Sequence, residues 1–89
     1  MNLADTHLAI MNMLAEQMTY GLVIKVGGFT PHSVSFTYDA AGAAYGTCWA
    51  TVVINDDMSI THDDLEFANL DAWLANELDV RNNTSNVFL

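Results

Sequence analysis

Apolar residues recur at helical spacing through the first part of the chain. Leu3, Ile10, Leu14 and Met18 fall on one stripe, with Met11 at its edge, and this predicts a helix over 2–18. Asn2 followed by Asp5 reads as an N-cap with an acid in the first turn. The period then changes to two. Leu22, Ile24 and Val26 alternate with Val23 and Lys25, predicting a strand over 20–26. Gly27-Gly28-Phe29-Thr30-Pro31 reads as a turn or loop. Val34, Phe36 and Tyr38 alternate with Ser33, Ser35 and Thr37, predicting a second strand over 33–38.

The third strand is the longest, about 45–54. Tyr45, Thr47, Trp49, Thr51 and Val53 share one face; Gly46, Cys48, Ala50, Val52 and Ile54 share the other. Asn55-Asp56-Asp57 is a hairpin turn signal, and Met58–Thr61 follows as a short fourth strand. A closing helix ends near Leu78 or Val80. Thr61 with Asp64 would start it near His62. Asn69 as N-cap, with Asp71 in the first turn, would start it later, leaving Leu65–Phe67 extended. The later start is favoured, because Phe67 and Leu70 then frame the cap. Leu70, Leu74 and Leu78 form its expected core stripe, with Trp73 on the flank. Asn-Asn-Thr-Ser-Asn at 82–86 has turn and disorder chemistry, so the expected division is a domain over 1–81 and a polar tail over 82–89 ending in the apolar Val87-Phe88-Leu89.

The order α-β-β-β-β-α with short connections predicts an α+β fold: a four-stranded antiparallel meander packed with two helices as a two-layer sandwich. Small and apolar residues would face the helices. The other sheet face, carrying Ser, Thr and the aromatics Tyr45 and Trp49, is a candidate contact surface.

Composition narrows the picture. At 89 residues and 52% hydrophobic, the chain holds one domain with a thin core and is too apolar for intrinsic disorder. The apolar runs reach about five residues where a membrane helix needs about 20, and no basic region precedes an apolar stretch as in a secretory leader. One cysteine, Cys48, supports no internal disulfide and fits a reducing, cytoplasmic compartment.

Charge changes the picture most. Eleven Asp and Glu stand against Lys25 and Arg81, for a formal charge of −9. Such a chain repels phosphate, which argues against direct nucleic-acid or anionic membrane binding and for a protein partner with a basic surface. Eight of the eleven acids fall between 56 and 79: Asp56, Asp57, Asp63, Asp64, Glu66, Asp71, Glu77 and Asp79. Carboxylates three or four apart on a helix lie about 5–6 Å from one another, comparable to successive phosphates on one strand. These eight are the candidate partner-binding residues. The plainer reading is a solvated helix face with acids favoured near a helix N-terminus.

Other chemistry finds little support. Asn55, Asp57, Ser59 and Glu66 occupy EF-hand ligand positions, but Ile60 stands where the loop needs glycine and the flanks read as strands. His7 lies on the apolar stripe of the first helix, where a buried or edge histidine with one hydrogen bond is expected. His62, beside Asp63 and Asp64, is a candidate metal ligand or pH-titrating group, but no zinc spacing accompanies it. Cys48 alternates with small strand residues and reads as a core thiol. No nucleophile elbow, phosphate loop or dinucleotide fingerprint occurs. The chain is expected to be a binding protein, monomer or homodimer, with no cofactor and no enzymatic activity.

In element order, size and charge the chain resembles small phage anti-CRISPR proteins of the DNA-mimic kind, through the acidic turn Asn55-Asp56-Asp57 and the closing helix Asn69-Leu70-Asp71-Ala72-Trp73-Leu74. That resemblance implies an inhibitor that binds a CRISPR complex or nuclease and blocks its target DNA. It is also similar to small acidic secretion chaperones and to immunity-type adaptors, which implies a different protein partner.

Overall fold

A computed structural model of the protein describes residues 2–23, 25–39 and 47–87. Helix α1 spans Leu3–Thr19. Asn2 caps it as expected, its Oδ1 accepting the Asp5 amide at 2.8 Å. The helix ends through Gly21, which takes a left-handed φ of 76°, while the amides of Gly21 and Leu22 close back onto the carbonyls of Met18 and Gln17. Glycine adopts that conformation at little steric cost. Residues 20–22 therefore terminate the helix, where the period-two pattern had suggested a strand.

The first strand, β1, is Lys25–Thr30, so the expected glycine turn is strand. The pairing with β2 (Ser33–Asp39) explains how. Val26 faces Phe36 and Gly28 faces Ser35, so Gly27 is the extra residue of a bulge. The actual turn is Pro31-His32, flanked by a hydroxyl–hydroxyl hydrogen bond of 2.6 Å between Thr30 and Ser33. Strands β3 (Thr47–Ile54), β4 (Ile60–His62) and β5 (Leu65–Phe67) follow. The sheet has five antiparallel strands in the order β1-β2-β3-β4-β5, one more than expected. The segment Leu65–Phe67, expected to be extended, pairs with β4 and becomes an edge strand.

Helix α2 spans Leu70–Val87. Asn69 is its N-cap, accepting the Ala72 amide on Oδ1 at 2.9 Å. The helix runs through 82–87, where a polar tail had been expected. Asn, Thr and Ser lower helix propensity only modestly, and no Gly or Pro interrupts the segment. Phe88 and Leu89, the end of that tail, lie outside the described residues.

Helix α1 lies against β1, β2 and β3, α2 lies against β5, and the helices touch each other. The core comprises Ile10 and Leu14 of α1, Val34 and Phe36 of β2, Ala50, Val52 and Ile54 of β3, Ile60 of β4, and Leu70 and Trp73 of α2, with Met13 and Val23 beside them. Each fully buried aliphatic side chain contributes about 1.5–3 kcal/mol. Ile10 and Leu14 of the expected α1 stripe and Leu70 of the expected α2 stripe are buried, but each helix buries polar residues along with them and leaves other members of the expected stripe outside. In α1 the buried stripe is Thr6, Ile10, Met13, Leu14 and Gln17, while Leu3 and Met18 are exposed. In α2 it is Leu70, Trp73 and Glu77. Trp73 is 0% exposed at the centre and Leu78 faces outward. The buried stripes keep helical spacing; hydropathy marks them only in part, because three of their members, Thr6, Gln17 and Glu77, are polar.

Candidate functional site

The acidic segment begins at the β3–β4 turn. The Met58 amide donates to the Asn55 carbonyl and the Asn55 amide to the Ser59 carbonyl, both at 2.9 Å. Met58 takes φ 67° to close the loop. Side chains lock it further: Asn55 Nδ2 donates to Ser59 Oγ at 3.0 Å and to Thr61 Oγ1 at 2.9 Å. Asp57 Oδ1 accepts the Ser59 hydroxyl at 2.6 Å and the Ser59 amide at 3.0 Å. These bonds, the hydroxyl first, hold the Asp57 carboxyl below the usual aspartate range. Asp56 points to solvent. A shallow basin of about 670 Å³ gathers Asp56, Asp57 and Glu66 with the oxygens of Asn55, Ser59 and Thr61.

At the other end of β4 the chain reverses through Asp63, at φ 54°, a conformation aspartate tolerates better than most residues. Asp63 extends the ladder beside Thr51: its amide donates to the Thr51 carbonyl and its Oδ1 accepts the Thr51 amide, both at 3.0 Å. Asp64 is exposed. Nearby, burial first, then Cys48 and Asp63, raise the Tyr38 phenol above its ordinary value.

On α2, Asp71 and Asp79 are exposed and Glu77 is buried. Seven of the eight candidate acids therefore reach solvent, and Glu77 is the exception. It sits in a polar cluster between the layers. Gln17 Nε2 donates to Glu77 Oε2 at 3.1 Å. Arg81 Nε donates to Gln17 Oε1 at 3.1 Å, and its Nη2 reaches Glu16 at 3.3 Å. The guanidinium also stacks 4.5 Å over the Tyr20 ring. His62 pairs opposite Val52 and so projects toward the helices, not toward Asp63 and Asp64. Its Nδ1 accepts the Trp73 indole N–H at 3.0 Å and lies 3.4 Å from Glu77 Oε1. This cluster was missed in the sequence: hydropathy assigns Gln17 and Glu77 to solvent, and only the i, i+3, i+7 spacing of Leu70, Trp73 and Glu77 hints otherwise.

The remaining candidates are placed as follows. His7 is half-buried, its Nε2 3.1 Å from the Ser33 carbonyl and its ring edge-on to Phe29; this is the single-bonded edge histidine expected. Leu3, Ala4, Phe29 and Pro31 join it around an apolar notch of about 380 Å³. Trp49 lies on the sheet face turned away from the helices and is 63% exposed. Cys48 is half-buried, and Tyr45 lies outside the described residues. Among the described residues no three His, Cys, Asp or Glu are grouped to hold a metal ion. No described helix is long and apolar enough to cross a membrane. Comparison with protein-family models, curated proteins and solved structures found no match.

Proposed function

We propose that the protein is a non-enzymatic inhibitor, phage-encoded and acting in the host cytoplasm, that blocks a basic nucleic-acid-binding site on a CRISPR complex or nuclease with the acidic rim formed by Asp56, Asp57, Asp63, Asp64 and Glu66, continued by Asp71 and Asp79. The observation that carries this reading is the segregation of charge. Both basic residues are kept off the rim. Lys25 is on β1, at the opposite edge of the sheet from β5, and Arg81 is engaged by Gln17 and Glu16 of α1. A run of exposed carboxylates without interleaved cations attracts a basic groove and competes with phosphate for it. Glu77 is not part of this surface. The test is a competition between the protein and duplex DNA for such an effector. Reversing Asp56, Asp57 and Glu66 to Lys abolishes inhibition if the rim makes the contact; undiminished inhibition by the triple variant rejects it.

A second reading, a secretion chaperone or immunity-type adaptor, draws on the bare sheet face and its exposed Trp49. It predicts that Trp49→Ala removes partner binding while rim reversal does not.

A further inference from the structure

The cluster between β4 and α2 makes incompatible demands on one atom. The Trp73 indole N–H, which can only donate, points at His62 Nδ1 from 3.0 Å. Glu77 Oε1 lies 3.4 Å from the same nitrogen. A neutral imidazole whose Nδ1 accepts from Trp73 carries its proton on Nε2, and it then turns a lone pair toward the Glu77 carboxylate. A protonated imidazole donates from Nδ1 to Glu77 and leaves the indole N–H without that acceptor. A protonated Glu77 does not resolve the conflict, because two donors would then compete for one lone pair. Only one of the two contacts is a hydrogen bond at any moment.

We propose that His62 is a proton-controlled latch between the sheet and α2. In its neutral form it holds Trp73. On taking up a proton it passes its Nδ1 contact to Glu77, one helical turn further along α2. The surroundings make the choice consequential. Trp73 is wholly buried, and a buried N–H that loses its partner is costly. Glu77 is anchored from the far side by Gln17 of α1, so it cannot simply swing away. Of the other groups around the cluster, Phe36 of β2 is uncharged and meets the imidazole in a T-shaped contact with ring centroids 5.6 Å apart. Arg81 of α2 is committed to Gln17 and Glu16. Asp63, next in sequence, is bonded to the Thr51 amide, and Tyr38 of β2 lies toward Asp63 and Cys48. Among the described residues, Glu77 is thus the carboxylate in contact with His62. The latch does not depend on the identity of any partner.

The test is nitrogen-detected NMR of the histidine rings together with the Trp73 indole N–H, followed across the histidine range. The expected result has three parts. Nδ1 of His62 is the unprotonated nitrogen in the neutral form. The Trp73 indole resonance shifts, and its exchange with solvent accelerates, on the same midpoint as the His62 ring. In Glu77→Gln that midpoint falls, because the cation loses its carboxylate; in Trp73→Phe it rises, because the neutral form loses its donor. The His32 ring, on the exposed Pro31-His32 turn and away from the cluster, serves as the reference that neither substitution affects. A neutral His62 protonated at Nδ1, an indole resonance indifferent to the titration, or midpoints moving the same way in both variants overturns the latch. Should Trp73→Phe fail to fold, the tautomer, the indole shift and Glu77→Gln still decide it.

Discussion

The indole of Trp49 occupies the space that a Cβ on Gly27 would need: the ring carbons Cη2 and Cζ3 come within 2.8 Å of that position. Trp49 pairs with Thr37, and Thr37 with Lys25, so the ring reaches across β2 toward the bulge in β1. It covers a glycine that would otherwise leave the sheet edge bare. Gly27→Ala displaces the ring. Because Trp49 is mostly exposed and the clash is with its far end, the ring can swing outward, and the stability cost is about 1 kcal/mol or less. The expected signature is a changed fluorescence of the exposed tryptophan with a melting temperature lowered by no more than about 4–8 °C.

The two tryptophans should respond very differently to truncation. Trp73 is the central side chain of the core, and Trp73→Ala costs about 3–5 kcal/mol. A domain of this size has about 5–15 kcal/mol in total, so the variant loses a large share of its stability. Trp49→Ala costs about 1 kcal/mol or less. Urea denaturation of both variants checks the order.

Much of the architecture is legible in the sequence. Asn2 and Asn69 announce both helix starts, and the alternation of Val34, Phe36 and Tyr38 against Ser35 and Thr37 identifies the inner face of β2. What was not legible has specific causes. The bulge turns Gly27-Gly28 from an apparent turn into strand, because pairing partners are invisible in a local window. Three-residue strands such as β5 are too short to show a period. The buried stripes of α1 and α2 contain Thr6, Gln17 and Glu77, and each is accommodated by a partner on another element or by close packing that hydropathy does not register. Counting along the chain picks out eight acids, yet Glu77 shows that counting does not separate a surface acid from a structural one.

Glu77 provides the sharpest contrast within the acidic segment. Glu77→Lys places a cation beside Gln17 and His62 in the interior and is expected to cost about 3–5 kcal/mol. Asp56→Lys and Glu66→Lys change exposed positions and are expected to stay within about 0.5 kcal/mol of the parent chain. Melting curves of the three variants separate the two kinds of acid without any partner present.

The β3–β4 turn predicts an acid-sensitive element. The Asp57 carboxyl, held low by the Ser59 hydroxyl and amide, favours the folded state while ionised. Its contribution is therefore present above the unfolded aspartate range and is lost as pH falls through the lower folded value. Ser59→Ala removes the leading bond. Carbon-detected NMR titration should place Asp57 below the other exposed aspartates in the parent chain and return it toward them in the variant.

The proposed acidic rim would meet a basic nucleic-acid site through electrostatic competition. The most direct measurement is the affinity of the parent chain for a CRISPR effector complex across a salt series, with and without target DNA. Electrostatic competition predicts that affinity falls steeply and linearly in log–log form as salt rises, that DNA and protein exclude each other, and that reversing Asp56, Asp57 and Glu66 flattens the slope as it weakens binding. Binding that is indifferent to salt, or that proceeds with target DNA already in place, contradicts the account.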